Sequence, residues 1–189
     1  MKKKVIIIGS GNAALCAGIS ALEKGATVKI LEKANENLAG GNTKYTAGAM
    51  RFVYNNGDEL KLLLKDPNDP KLEKTNFGKY SKEKFSEDLL NFNNGQPLTI
   101  EQKTLINESY ETMKWLASHD VKFEPIYQRQ SFEKDGKFIF WGGLTLASKN
   151  EGVGLFDQEL EAFKKLGGEI EYETPVTALI KEEEKIIGV

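Results

Sequence analysis

Cysteine, histidine and arginine are almost missing from these 189 residues: Cys16, His119, Arg51 and Arg129 are the whole complement. A single cysteine excludes an internal disulfide framework and points to a reducing compartment. Cys16 falls on an apolar helical segment, where a small buried hydrophobe is the expected reading rather than a reactive thiol. With one histidine and no C-x-x-C pair, metal chemistry has no ligand set. The net charge is −2, which offers no basic surface for nucleic acid or an anionic membrane. Long apolar runs are lacking too. Val5–Ile8, behind three lysines, is four residues long before Gly-Ser-Gly-Asn interrupts it. A signal core needs about 7–15 apolar residues and a spanning helix about 20. The expectation is a cytoplasmic protein with no membrane span and no nucleic-acid partner. Its 40% hydrophobic and 29% charged residues suit a globular protein with a sizeable core.

What is present is concentrated between Val5 and Lys33. Val5-Ile6-Ile7-Ile8 reads as a buried parallel strand. The turn Gly9-Ser10-Gly11-Asn12-Ala13-Ala14 follows as G-x-G-x-x-A, then a helix over Leu15 to Lys24 that Gly25 closes. Thr27–Leu31 reads as a second strand, and Glu32 stands at its end, 23 positions after Gly9. A dinucleotide-binding unit places its ribose-binding acid about 20 residues on. Gly9 lets the chain leave the strand sharply, Gly11 admits a pyrophosphate close to the backbone, and the small Ala14 lets helix and strand pack. The helix start presents N–H groups and partial positive charge to phosphate. A carboxylate at Glu32 accepts a ribose hydroxyl and repels a 2′-phosphate, which favours FAD or NAD over NADP.

A second cluster of small residues, Gly40 to Met50, follows the acid directly, with Asn42, Thr43 and Thr46 able to hydrogen-bond. An NAD domain has no use for it. Composition then turns polar from Asn55 to Asn94, with helices expected over Asp58–Lys65 and Ser81–Phe92. Ser81 is expected to cap the second of these. Thr99 with Gln102 reads as a capping box for a helix to about Ser118. Its expected buried face holds Leu105, Ile106, Tyr110, Met113, Trp115, Leu116 and Ala117. His119 is read as a helix-end residue. Asp135-Gly136 centres an expected hairpin over Tyr127–Phe140, and Trp141 is read as a core aromatic, with a wall of the cofactor pocket as the alternative. A helix over Leu155–Leu166, apolar at Leu160, Phe163 and Leu166, ends at Gly167-Gly168. Strands are expected at Glu169–Thr174, Pro175–Ile180 and Ile186–Val189. A sheet that stops on an apolar strand leaves an open edge. The expectation is therefore the N-terminal piece of a longer protein, or a short one completed by oligomerisation. The fold class expected is α/β: a Rossmann-like domain, a parallel sheet with helices on both faces, plus the start of an inserted α+β region. The boundaries expected are 1–54, 55–145 and 146–189.

These residues together resemble a known superfamily. The N-terminal unit, Gly40-Gly41-Asn42-Thr43 with Ala47-Gly48, and Thr174-Pro175-Val176-Thr177-Ala178-Leu179 look like the FAD-binding flavoproteins of the fumarate reductase and succinate dehydrogenase superfamily. Asp88-Leu89-Leu90, Glu108 to Leu116, Val121-Lys122-Phe123 and Phe140 to Leu144 are similar in order and spacing to its FAD-dependent tricarballylate dehydrogenase group. The resemblance implies FAD as cofactor, with the pyrophosphate at Gly9, Gly11, Asn12, Ala13 and Ala14. It implies the adenosine ribose at Glu32 and Lys33, and the pyrophosphate and ribityl chain along Gly41, Asn42 and Thr43. It further implies Ala47 and Gly48 beside the isoalloxazine, Val176 at the adenine edge, and an inserted capping domain that begins within 55–145. The implied activity is oxidation or reduction of a C–C bond in a small di- or tricarboxylate, with an electron acceptor or donor as partner. Ala49 stands where fumarate reductases often have a second glycine. No catalytic acid, base or carboxylate clamp can be placed, although Arg51 and Arg129 are candidates for carboxylate contact beside their plainer reading as surface charges. The same residues also fit a non-catalytic nucleotide-binding module.

Overall fold

The computed structural model describes residues 2–189, which divide into two compact units, 2–46 with 152–189 and 47–151. Segments 47–54 and 146–151, grouped with the nucleotide-binding part from sequence, cluster with the second unit.

The first unit is built on three parallel strands in the order Lys4–Ile8, Thr27–Leu31, Glu169–Glu171. The helix Asn12–Glu23 connects the first two strands, and the helix Glu151–Lys165 leads into the third. The two helices touch: a Cβ on Gly18 would come 2.7 Å from the Phe163 ring and 3.4 Å from the Ile7 side chain. Val28, Ile30, Leu15, Ile19, Leu155, Phe156 and Phe163 are buried in this core. The first strand differs from expectation. Its four β-branched residues are not buried on both faces: Ile6 and Ile8 are half-exposed while Val5 and Ile7 are more covered. Crossovers between neighbouring strands in this order bring both helices to one face, so alternate residues of the strand face away from them. On that other face Lys29 pairs with Glu169 and Glu171 at 3.8 and 3.3 Å.

Several helix limits shift. The first helix starts at Asn12 rather than Leu15, because Gly11 serves as its N-cap. The last starts at Glu151 and ends at Lys165; Leu166 is exposed, Leu160 is half-buried, and Glu159 takes the buried position. Glu173 has a positive φ of 52°, which stops the third strand at Glu171. Beyond it Ile180–Glu182 and Lys185–Gly188 form an antiparallel hairpin.

The second unit holds two small sheets. One is Ala49–Met50, Leu146–Ser148 and Phe123–Pro125, antiparallel. The other is Thr75–Asn76, Lys137–Phe140 and Ser131–Lys134. The Asp135-Gly136 hairpin forms with both turn residues at positive φ, as a tight two-residue connection needs. It begins only at Ser131, since Tyr127–Gln130 is a helical turn. The expected Asp58–Lys65 helix shrinks to Gly57–Lys61, capped by Asn56. Ser81 accepts the Lys84 N–H as N-cap of Lys82–Phe92. Thr99 and Gln102 form the capping box of Ile100–Ser118. That helix buries Ile106, Ser109, Met113 and Leu116, while Leu105 is exposed. Ser109 earns its place by accepting the Val53 N–H at 3.0 Å.

Candidate flavin-nucleotide site

The first strand ends at Ile8, and Gly9 turns the chain with φ +84°, a conformation that strains any residue with a Cβ. The Gly9 N–H still bonds to the Leu31 carbonyl at 2.8 Å, so the turn hangs from the second strand. At Gly11 a Cβ would lie 3.3 Å from Thr43 Oγ1 and 3.6 Å from the Gly40 carbonyl. Gly11 is therefore small for a reason within the protein as well: the 40–45 loop is laid on the turn. Thr43 Oγ1 accepts the Asn12 N–H at 2.9 Å and caps the helix that Gly11 cannot cap with a side chain. Gly40, at φ +105°, opens the short helix Gly41–Tyr45 that carries Asn42 and Thr43.

Ser10 joins these parts. It is only 1% exposed. Its hydroxyl donates to Glu32 Oε2 at 2.5 Å and accepts the Gly40 N–H at 3.1 Å. Glu32, 6% exposed, accepts the Ala34 N–H at 2.8 Å on its other oxygen. Burial pushes the Glu32 carboxyl up. Hydrogen bonds from the Ser10 hydroxyl and from the backbone of Ala34, Ser10 and Lys33 outweigh it, and the group lies below its ordinary range. It is an anion at neutral pH. The third strand reaches the same place: Glu32 N–H bonds to the Glu171 carbonyl, and Thr174 N–H to the Glu32 carbonyl, both at 2.9 Å. This pairing delivers Pro175 and Val176 beside Glu32.

The result is a cleft of about 350 Å³ lined by Ile8, Gly9, Ser10, Gly11, Leu31, Glu32, Lys33, Gly41, Pro175 and Val176. Six sequence-derived site residues meet here: Gly9, Gly11, Glu32, Lys33, Gly41 and Val176. Asn12 and Thr43 are tied together at its edge, with Asn42 between Gly41 and Thr43. Ala13 and Ala14 are in the first turn of the helix. Ala47 and Gly48 belong to the second unit, where Gly48 has φ +64° and a Cβ would strike Ser148 and Glu151. Sequence reasoning missed Ser10, whose position inside the G-x-G turn was the available signal. It also missed the apolar walls Ile8, Leu31 and Pro175.

A floor of glycine backbone, a buried carboxylate and apolar walls offer N–H groups for an anion, an acceptor for a hydroxyl and a surface for a flat ring.

The other singled-out residues lie in the second unit. Arg51 donates to the Tyr80 hydroxyl at 2.9 Å, and Tyr80 donates to Asp88 at 2.6 Å. Burial and then the Asp88 hydrogen bond push Tyr80 up to about 12. Arg129 pairs with Glu151 at 2.7 Å on the surface. Trp141 is 68% exposed and packs on Phe132, so the core reading for it fails. His119 is the C-cap of Ile100–Ser118, its ring against Trp115. Among the described residues no helix is long and apolar enough to cross a membrane, and no cluster of His, Cys, Asp and Glu could hold a metal ion.

Comparison with known proteins bears on this geometry. Residues 4–189 match the family described as FAD binding domain, FAD_binding_2. Over 63 residues the chain is 38% identical to a fumarate reductase (cytochrome) of Shewanella frigidimarina, a stretch covering 33% of this chain and 11% of that protein. A flavocytochrome c3 fumarate reductase in an open conformation superposes with a TM-score of 0.67 at 20% identity, over 97% of this chain and 28% of that one. Mycobacterium smegmatis Sdh1 gives 0.60 at 18%, over 97% and 30%. The structural likenesses establish the α/β fold. The chain spans less than a third of each of these relatives.

Proposed function

Since the chain belongs to the FAD binding domain family and its cofactor is FAD, we propose that it forms the adenine-nucleotide part of the site in a flavin oxidoreductase. The full protein would act on a C–C bond of a small di- or tricarboxylate, in the manner of tricarballylate dehydrogenases or fumarate reductases. It would exchange electrons with a separate donor or acceptor. The observation that carries this reading is the convergence of Gly9, Gly11, Glu32 and Val176 on one cleft, with Glu32 ionised.

The residues present would hold FAD as follows. Gly9, Gly11, Asn12, Ala13 and Ala14 take the pyrophosphate at the helix start. Glu32 and Lys33 take the adenosine ribose, and Val176 meets the adenine. Gly41, Asn42 and Thr43 follow the chain toward the ribityl group. Ala47 and Gly48 are assigned to the ring end, and 55–145 to the beginning of a capping insertion. When bound, FAD supplies hydride transfer at a carbon–carbon bond next to a carboxylate. The protein's share, in this chain, is to bind and orient. Glu32 stays ionised, accepts a ribose hydroxyl and repels a 2′-phosphate. The lone cysteine supports a reducing, cytoplasmic setting.

The test is to purify the chain without added cofactor, record its visible spectrum and identify any nucleotide released on denaturation. FAD, carried or taken up, supports the reading. A nicotinamide nucleotide, or no uptake of FAD at all, overturns it. The carboxylate substrate is tested in the protein extended to its relatives' length: bleaching of the flavin by tricarballylate or succinate supports it, and indifference to both and to fumarate sinks it.

A further inference from the structure

Glu159 is the most deeply buried ionisable group of the first unit and has no part in the site described above. It is 0% exposed, on the inner face of Glu151–Lys165 among Leu155, Phe156, Ala162 and Phe163. Among the described residues its one hydrogen-bond neighbour is the Cys16 thiol, 3.7 Å from Oε1, and its Oε2 has no partner. Cys16, from the helix Asn12–Glu23, is the titratable group that faces it; among the described residues no lysine, arginine or histidine is within ion-pair reach of Glu159. A carboxylate buried among apolar side chains, with no cation within reach among the described residues, is disfavoured in such a place, and the neutral acid is favoured.

The Cys16 sulfur also lies 3.3 Å from Asn12 Oδ1. The backbone N–H of the same Asn12 goes to Thr43 Oγ1. A run of contacts therefore leads from the buried acid to the turn assigned to the pyrophosphate: Glu159, Cys16, Asn12, Thr43. One thiol proton can serve one acceptor at a time. When Glu159 carries its proton, Oε1–H donates to the sulfur, and the thiol proton is left for Asn12 Oδ1. When Glu159 gives that proton to solvent, the carboxylate is an acceptor only. It draws the thiol proton to itself, and Asn12 Oδ1 loses its donor.

We propose that Glu159 is a proton switch: its protonated form fixes Asn12 through Cys16 in the arrangement that binds the nucleotide, and its ionisation releases Asn12 and weakens binding. Burial raises the Glu159 carboxyl to about 8, so the change falls in the mildly alkaline range. Cys16, raised to about 12 by burial and then by Glu159, keeps its proton throughout. An anion buried against Cys16 of the helix Asn12–Glu23 also opposes the charge of a pyrophosphate, which acts in the same direction.

The nucleotide half of this inference rests on the function proposed above; the proton half does not. Two measurements on the whole chain keep them apart. The first is the dissociation constant for FAD across the range centred on about pH 8, for the wild type and for Glu159→Gln, which has the shape of the neutral acid. The wild type should lose affinity by about fivefold or more as pH rises, and E159Q should stay level. Equal slopes in both proteins would overturn the switch. The second needs no nucleotide. The S–H stretching band of Cys16 reports its acceptor. It should shift between acid and alkaline buffer in the wild type and stand still in E159Q. A band that does not move in the wild type overturns the proposal even where FAD binds. Failure to bind FAD with a moving band removes the function proposed above and the nucleotide half of the switch together, and leaves the proton half supported.

Discussion

Two glutamates in the same unit, both nearly inaccessible, end in opposite protonation states. Glu32 closes the second strand and is an anion; Glu159 sits mid-helix and is held neutral to about pH 8. Burial opposes charge in both. What differs is the supply of donors. The Glu32 oxygens receive a hydroxyl and backbone N–H groups at the open end of a sheet, where strand termini leave N–H groups unpaired. Glu159 lies on a helix whose own N–H groups are spent within it, and its one hydrogen-bond partner among the described residues is a thiol. Charge in a buried site follows the donors that the backbone leaves over rather than the depth of burial.

The comparison can be broken most severely at Glu159. Its folded-state pKa is raised, so the folded chain binds the extra proton. Stability is highest below the ordinary glutamate range, falls as pH rises toward about 8, and carries the full penalty above that. Glu159→Leu removes an acid with an unsatisfied oxygen and fills the space. Its unfolding free energy should exceed the wild type's by ~2–4 kcal/mol in alkaline buffer. The gap should narrow on acidification, as denaturant titration at several pH values would record. Glu32 has the opposite sign. Its folded pKa is lowered, so its contribution is present above the ordinary range and lost in acid. Glu32→Ala should cost ~1.5–3 kcal/mol of FAD or ADP affinity by calorimetry, the value of hydrogen bonds to a charged group. Unchanged affinity would mean that the ribose lies elsewhere.

Ser10 sharpens the contrast. Ser10→Ala strips Glu32 of its shortest bond and leaves burial to act, so Glu32 should move toward the behaviour of Glu159. A nucleotide affinity lower by ~1–2 kcal/mol, with its acid limb displaced to higher pH, is the expected titration. Cys16→Ala is the mildest change. It should cost ~1 kcal/mol or less of stability by thermal unfolding, since a small, weakly bonded side chain is lost, but it should flatten the pH dependence of FAD binding.

Much of the site was legible because its logic is local. Strand, G-x-G turn, helix and acid lie within thirty residues, and the Thr99–Gln102 capping box spans four. Readings failed where a distant neighbour decides them: the first helix opens at Asn12, whose N–H Thr43 accepts, and Trp141 packs on Phe132 at the surface. Ser109 hides a polar residue in an apolar stripe because a distant backbone N–H needs it. Glu159 stood in view within the spacing Leu155, Phe156, Glu159, Ala162, Phe163, but a helical period cannot show what faces it.

The sequence by itself determined the nucleotide class of this protein. Backbone-permissive glycines, strand-forming runs and a carboxylate at a set spacing act through the chain's own geometry and need no partner to be recognised. Only the tertiary structure decided the charges. Ser10 meets Glu32 across 22 residues and Cys16 meets Glu159 across 143. Whether an acid keeps its proton depends on the dielectric and the donors gathered around it, which exist only once distant segments pack together.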